Sequence, residues 1–200
     1  MLGLPFLLQH PASYTSKAFE FSRVFLLKWS VNWSCLPEDL FLSKSFALAL
    51  LTVHLALLLA FAHYKWCKGV GGLPQLIWQR LQGSGVLVGP TQGNSVLQAS
   101  TGKRVLVIVF TGNFIGILCA RTLHFQFYSW YFHTLPLLLW HAKLSTPLRV
   151  VLLACVEVCW NVFPSSFASS SILLLCHCIL LLGLWQTPDY LWLAQHVKSN

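Results

Sequence analysis

The chain has 200 residues, of which 56% are hydrophobic and only 9% are charged. A soluble domain carries about 25% charged residues, so this composition argues against a soluble protein. The net charge is +8, but the cations stand singly between apolar runs, which argues against a nucleic-acid-binding protein. Cations in loops beside membrane spans account for the excess. The sequence therefore predicts an all-α, polytopic membrane protein whose main partner is the lipid bilayer.

The first predicted element is a segment of mixed polar and aromatic character over residues 9–40. Lys17, Glu20 and Arg23 follow one another at a spacing of three, so on a helix they would be neighbours on one surface. Aromatic residues alternate with them, which is typical of an amphipathic helix that lies on the bilayer. Asn32 begins an N-glycosylation acceptor sequence, which is a weak signal so close to a membrane.

Five apolar stretches after this segment are predicted to cross the bilayer. A crossing helix needs about 20 predominantly apolar residues for roughly 30 Å of hydrocarbon. The candidate spans are residues 46–64, 105–120, 125–141, 147–163 and 169–185. The third candidate either crosses the bilayer or re-enters it, and the sequence leaves both forms open.

Residues 65–104 are predicted to form a loop between the first two spans. The region is rich in glycine and carries five cations and no acid. It matches neither of the glycine motifs that bind nucleotide phosphates, so a flexible connector is expected. The cations place the loop in the cytosol. Counting spans from there puts residues 9–40 and 121–124 in the lumen.

Cysteine and histidine spacing raises the possibility of a metal site. Cys155 with Cys159, and Cys176-His177-Cys178, could be read as ligand pairs. A zinc site needs four converging ligands and a polar second shell, whereas cysteines in apolar runs pack as small hydrophobes. No metal and no cofactor is predicted. His177 stands alone in its span, which is more typical of a packing hydrogen bond than of a ligand.

The stretch over residues 121–136, RTLHFQFYSWYFHTLP, combines aromatic rings with two histidines, an arginine and no carboxylate. If residues 121–135 form one helix, four side chains fall within about 80° of one another at 100° per residue. These are Arg121, His124, Tyr128 and Tyr131. The stripe could bind a phosphate or a sugar, because a guanidinium donates two parallel hydrogen bonds to phosphate. It could equally be an interfacial aromatic belt, and the spacing does not separate the two.

Glu157 is the only acid inside a predicted span. Ionisable groups in spans are costly and are candidates for functional sites. The alternative, a structural hydrogen bond between helices or a protonated carboxyl, is favoured here. No nucleophile with its base, and no carboxylate pair at a fixed spacing, is visible in the sequence.

Several blocks of the sequence resemble one known family. Residues 113–116 and 121–136 are similar to the late signature of the endoplasmic-reticulum alpha-1,3-mannosyltransferases of asparagine-linked glycosylation. Residues 10–38 resemble a loop of that family, residues 46–59 its next span, and residues 157–165 its penultimate span. Together these blocks cover most of the chain outside the glycine-rich loop and the tail.

The resemblance implies a glycosyltransferase C type fold and a multi-pass protein of the endoplasmic reticulum membrane. Members of the family transfer mannose from dolichyl phosphate mannose to the dolichyl-diphosphate oligosaccharide Man5GlcNAc2-PP-dolichol in protein N-glycosylation. Both lipid-linked sugars are therefore the expected partners. Two alternatives stay open: a mannosyltransferase of glycosylphosphatidylinositol anchors, and a catalytically inactive membrane protein that binds partners.

The resemblance also assigns roles to residues. In this fold type a luminal carboxylate in an early loop acts as base, and basic side chains from later loops hold the departing phosphate. Arg121 and His124 suit the second role, as does Arg23 if its loop folds over the same site. The full set of expected substrate-binding residues is Arg121, His124, Tyr128, Tyr131, Arg23 and Glu157. The chain resembles only the C-terminal half of the family, so a truncated form is expected, with the catalytic acid outside it.

Overall fold

The computed structural model describes residues 3–18, 27–82 and 95–188, with side chains from residue 102 onward in the last range. The α-helices are α1 (Leu4–Gln9), α2 (Pro11–Ala18), α3 (Glu38–Leu42), α4 (Lys44–Phe61), α5 (Leu73–Leu81), α6 (Ser95–Cys119), α7 (Tyr128–Tyr131), α8 (Leu135–His141), α9 (Thr146–Trp160) and α10 (Phe167–Trp185). A π-helical turn, Ala62–Trp66, continues α4. The predicted all-α class is confirmed for the described residues.

Within the described ranges, three helices are long and apolar enough to cross a bilayer. By length and composition they are Lys44–Trp66, Gly102–Cys119 and Phe167–Trp185, and each coincides with a predicted span. Their outward faces are apolar, as at Leu48 and Leu175, which are 63% and 60% exposed. Extended apolar surface of this kind is stable against lipid or another protein rather than against water, which agrees with a membrane protein.

The other two predicted spans take a different form. Residues 125–141 are a succession of short helical segments, in which Pro136 lies in the first turn of α8. Residues 147–163 correspond mainly to α9, which has 15 residues and is therefore about 22 Å long at 1.5 Å per residue. α9 leads through a turn over residues 161–166 into α10, against which it packs.

The predicted loop over residues 65–104 is wrong in part, because it contains helices. α5 begins directly after Gly71 and Gly72, whose φ angles of 89° and 91° favour glycine. Pro74 lies in its first turn, where a missing N–H costs nothing. α6 begins at Ser95, well ahead of its predicted start, because its first polar residues are compatible with a helix.

The single helix over residues 121–135 on which the side-chain stripe was conditional does not form. After α6 the chain runs extended, and the Val31 N–H donates to the Leu123 carbonyl at 2.7 Å. Ser30 and His124 form an antiparallel bridge beside this hydrogen bond. A 3₁₀ turn, α7 and a second 3₁₀ turn then lead to α8. Pairing with a segment about 90 positions earlier replaces the helical hydrogen bonds, and local periodicity carries no information about such a partner.

The core lies where α6, α8, α9 and α10 meet. Large side chains from three of these helices are fully buried there: Phe114, Ile115, Leu138, Leu173 and Leu184. Such a core holds the ends of the helices in fixed relative positions, and the segments that join those ends form the candidate site.

The far end of α10 is tied to the turn that follows α8. The Gly183 carbonyl accepts a hydrogen bond from the Lys143 N–H at 3.0 Å. A Cβ on Gly183 would lie 2.8 Å from the Leu144 side chain, so the close approach requires glycine. The Thr187 hydroxyl also donates to the His141 carbonyl at 3.1 Å. Lys143 therefore lies at the C-terminal end of α10.

Candidate functional site

Three connecting segments meet at the N-terminal end of α10 and form what we call the loop cluster, residues 27–34, 120–127 and 161–166. The Ser165 hydroxyl donates to the Ser30 carbonyl at 2.6 Å. Its single proton is then used, so the Ser34 hydroxyl donates to it at 2.8 Å. Trp29 stacks on Phe163, with ring centroids 5.6 Å apart. The cluster thus joins parts of the chain that are about 90 and 130 residues apart.

Asn32 ties the cluster to the end of α6. Its side chain is fully buried, and Nδ2 lies 2.8 Å from the Ile117 carbonyl and 3.2 Å from those of Leu118 and Ala120. The last carbonyls of a helix have no partner within the helix, so the amide acts as a C-terminal cap. The nitrogen that a glycan would modify is therefore inside the protein.

Arg121 directs part of its guanidinium toward α3. Nη1 donates to the Phe41 and Ser43 carbonyls, each at 3.1 Å, and the group lies 5.8 Å from the Phe41 ring centroid. These contacts fix a positive charge at the end of α3. Among the described residues, Nη2 and Nε of Arg121 have no hydrogen-bond partner, so two of its three nitrogens remain as donors.

His124 has a defined hydrogen-bonding direction. Nδ1 lies 3.0 Å from the Trp29 carbonyl, and a carbonyl only accepts, so Nδ1 carries a proton. Nε2 therefore accepts in the neutral ring and donates only in the imidazolium form. The ring stacks on Phe127 at 5.9 Å.

An aromatic cavity opens beside His124. Its volume is about 590 Å³, and its lining residues are Trp29, His124, Phe125, Gln126 and Phe163. Phe125 packs edge-on against Phe163 at 5.2 Å, and Trp29 is 47% exposed. Exposed aromatic faces beside a few polar groups are typical of small-molecule sites.

Glu157 lies in the last turn of α9 and is held from two sides. The Tyr128 hydroxyl donates to Oε2, and the Asn161 side-chain amide donates to Oε1 at 3.3 Å. The side chain of Glu157 is exposed. The structure therefore contains the hydrogen bond between helices that the sequence favoured for this acid, and it leaves the oriented carboxylate accessible.

Tyr131 differs from the other predicted site residues in its burial, although its ring contacts that of Tyr128, with ring centroids 5.8 Å apart. It is fully buried, and its hydroxyl lies 2.6 Å from Trp160 Nε1 and 3.0 Å from His177 Nε2. The predicted stripe is therefore not a single surface: Arg121, His124 and Tyr128 reach the exterior, whereas Tyr131 is part of the core. Arg23 lies outside the described residues.

Sequence reasoning missed several residues of this region. Trp29, Phe163 and Gln126 line the cavity but carry no motif of their own. Asn32 appeared as a glycosylation acceptor rather than as a helix cap. The pairing between residues 27–34 and 120–124 would have brought them together, but a single sequence gives no signal for it.

A family model and three similar known proteins all indicate the same family. A family model described as ALG3 protein matches residues 1–170. An Arabidopsis thaliana relative is 47% identical over 205 residues, which cover 100% of this chain and 46% of the relative. Relatives from Mus musculus and Homo sapiens are 45% and 44% identical over 192 residues, which cover 94% of this chain and 42% of each relative.

All three relatives are named Dol-P-Man:Man(5)GlcNAc(2)-PP-Dol alpha-1,3-mannosyltransferase. The chain spans less than half the length of each of them. No solved structure matches it. With a family model that covers residues 1–170, the chain belongs to the ALG3 protein family.

Proposed function

We propose that this chain is the C-terminal, lipid-facing part of an alpha-1,3-mannosyltransferase of the endoplasmic reticulum membrane. The donor is dolichyl phosphate mannose, and the acceptor is Man5GlcNAc2-PP-dolichol. The observation that carries the proposal is 47% identity across the whole chain to a relative named for this reaction. No comparable observation favours a glycosylphosphatidylinositol-anchor enzyme or an inactive binding protein.

The proposal includes a topology of five spans within a glycosyltransferase C type fold, which the contacts at the two ends of α10 support. The loop cluster lies at the N-terminal end of α10, and Lys143 contacts its C-terminal end. Lys65 donates to the Thr187 carbonyl at 3.4 Å, at the same end as Lys143. Residues 125–141 therefore run from one end of α10 to the other. With the basic end in the cytosol, the loop cluster faces the lumen, where the two lipid-linked sugars would react.

The loop cluster offers groups for a lipid-linked sugar phosphate. In the transfer, an acceptor hydroxyl attacks C1 of the mannosyl group, the bond from C1 to the phosphate oxygen breaks, and the phosphate leaves as an anion. Nη2 and Nε of Arg121, and His124 as an imidazolium, would stabilise that anion. Arg23 is proposed for the same role.

The sugar itself would lie closer to the aromatic cavity. Trp29 presents an exposed indole face on which a sugar ring can stack, and the Glu157 carboxylate can accept hydrogen bonds from sugar hydroxyl groups. Tyr128 orients that carboxylate through the hydrogen bond that its hydroxyl donates to Oε2. The base that takes the acceptor's proton is assigned to the part of the enzyme that the relatives have beyond this chain.

The proposal is tested by joining this chain to the N-terminal half of the Arabidopsis thaliana relative. The chimaera is expressed in cells that lack the enzyme and accumulate Man5GlcNAc2-PP-dolichol. Lipid-linked oligosaccharides should extend beyond Man5GlcNAc2. Persistent Man5GlcNAc2 at normal expression would refute the proposal, and rescue of glycosylphosphatidylinositol-anchored surface proteins instead would favour the other mannosyltransferase.

A further inference from the structure

A buried polar group connects three helices behind the candidate site. His177 of α10 is fully buried, with Nε2 at 3.0 Å from the Tyr131 hydroxyl of α7. The same hydroxyl is 2.6 Å from Nε1 of Trp160 in α9. We call these three residues the buried triad.

The chemistry of the triad fixes every proton in it. An indole Nε1 only donates, so the Tyr131 hydroxyl accepts from Trp160. The one hydroxyl proton must then go to His177 Nε2, which accepts. His177 is therefore neutral and carries its proton on Nδ1, an atom without a partner among the described residues. An imidazolium would present a second donor to the hydroxyl and leave the Tyr131 proton without an acceptor, which is costly in a buried environment.

The triad connects to the site through Trp160. The Trp160 indole stacks on the Tyr128 ring at 5.0 Å, with an interplanar angle of 23°. Tyr128 in turn donates its hydroxyl proton to Glu157. Tyr128 thus orients the Glu157 carboxylate, and the Trp160 indole orients the Tyr128 ring. The indole in turn is held by its hydrogen bond to Tyr131, whose own proton His177 accepts.

We propose that His177 is a positioning residue for mannosyl transfer, which acts through Tyr131 and Trp160 on the Tyr128–Glu157 pair. It contacts no substrate. This inference rests on the proposed function, because Glu157 needs a fixed orientation only if it holds the sugar donor. A displaced carboxylate loses the defined geometry on which binding and turnover depend.

The test uses a pair of substitutions matched in length. Gln at position 177 retains an acceptor that can reach the Tyr131 hydroxyl, whereas Met fills similar space without a comparable acceptor. In the chimaera described above, H177M should raise KM for dolichyl phosphate mannose and lower kcat/KM for it on the order of tenfold. H177Q should retain most of the wild-type value. The KM for the oligosaccharide acceptor should not change in either variant.

A double-mutant cycle separates positioning from loss of structure. Y131F removes the shared hydroxyl, so it should reproduce the kinetic change of H177M, and the double variant should add little to it. H54L, in α4 and outside the triad, should behave as wild type. All values are expressed per amount of folded enzyme. If H177M does not accumulate, Y131F, which lacks the hydrogen bond, is compared with H177Q, which retains it.

The outcomes distinguish the two proposals. A wild-type chimaera that transfers no mannose overturns the proposed function, and the role of His177 with it. An active chimaera in which H177M and Y131F leave the donor KM unchanged overturns the positioning role alone. Equal changes in H177M and H177Q would also overturn it, because a hydrogen bond would then not be the cause.

Discussion

Asn32 illustrates how one residue can fit two incompatible chemical roles. In the sequence it begins a glycosylation acceptor pattern, and in the structure its amide caps the last carbonyls of α6. A glycan requires that nitrogen to be accessible, whereas the cap requires it to be buried. Since the residue is fully buried, the structural role prevails.

We expect Asn32 to carry no glycan and N32A to destabilise the protein. Loss of a buried donor to three carbonyls should cost about 1–3 kcal/mol, measured as thermal unfolding in detergent. S34A is the matched control for glycosylation, because it removes the acceptor pattern and keeps the amide. Wild type and S34A should migrate identically with and without endoglycosidase, and a shift confined to wild type would contradict the cap.

Arg121 combines a structural contact with a predicted substrate contact. Nη1 holds the end of α3, while Nη2 and Nε, which have no partner in the described ranges, are proposed to bind an anion. In the chimaera, R121A should lower mannose transfer on the order of 10- to 100-fold, the effect of losing hydrogen bonds from a charged donor, without loss of expression. K44A is the control, because it removes an exposed cation at the start of α4, next to the Ser43 carbonyl that Arg121 contacts.

R121K then separates the two contacts at this position. A lysine keeps the charge but lacks the planar fork that can hold α3 and a phosphate at once, so its transfer rate should remain well below that of wild type. Wild-type turnover in R121A would leave Arg121 with its structural contact alone.

At the scale of elements, the long apolar helices could be predicted and the irregular connections could not. α4 and α10 follow from continuous apolar composition, which is a local property of the sequence. The extended run after α6 depends on its pairing with Ser30 and Val31, which lie far away in sequence. Because a local pattern does not show which side chains long-range contacts bury, the sequence grouped Tyr131, which is buried, with the candidate site residues Glu157 and His124.

The contact between α10 and the turn after α8 yields a prediction at this scale. G183A should lower stability by about 1–3 kcal/mol through overpacking, since the added Cβ would meet the Leu144 side chain at 2.8 Å. G112A is the matched control, because its Cβ would meet no atom closer than 3.9 Å. The melting temperature in detergent should fall for G183A and stay level or rise for G112A. Equal melting temperatures for G183A and G112A would mean that the turn after α8 can shift and accommodate the added Cβ.

At the scale of the whole molecule, the contacts at the two ends of α10 bear on whether residues 125–141 cross the bilayer or re-enter it, which the sequence left open. Residues 125–141 begin in the loop cluster, which Ser165 joins to the start of α10. They end beside Lys143, whose N–H bonds to Gly183 near the end of α10. α10 has 19 residues and is therefore about 28 Å long, close to the thickness of the hydrocarbon layer. We therefore expect this succession of short helices to cross the membrane rather than to re-enter it.

If residues 125–141 cross the membrane, the positions that are accessible from the cytosol can be predicted. In the chimaera with all cysteines replaced, K143C and K68C should react with a membrane-impermeant maleimide in sealed microsomes, whose outer face is cytosolic. D39C, exposed near the loop cluster, should react only after detergent opens the vesicles. K68C serves as the positive control, because Lys68 follows the end of α4 on the basic side. If residues 125–141 re-entered the membrane, Lys143 would return to the lumen, and K143C would behave like D39C.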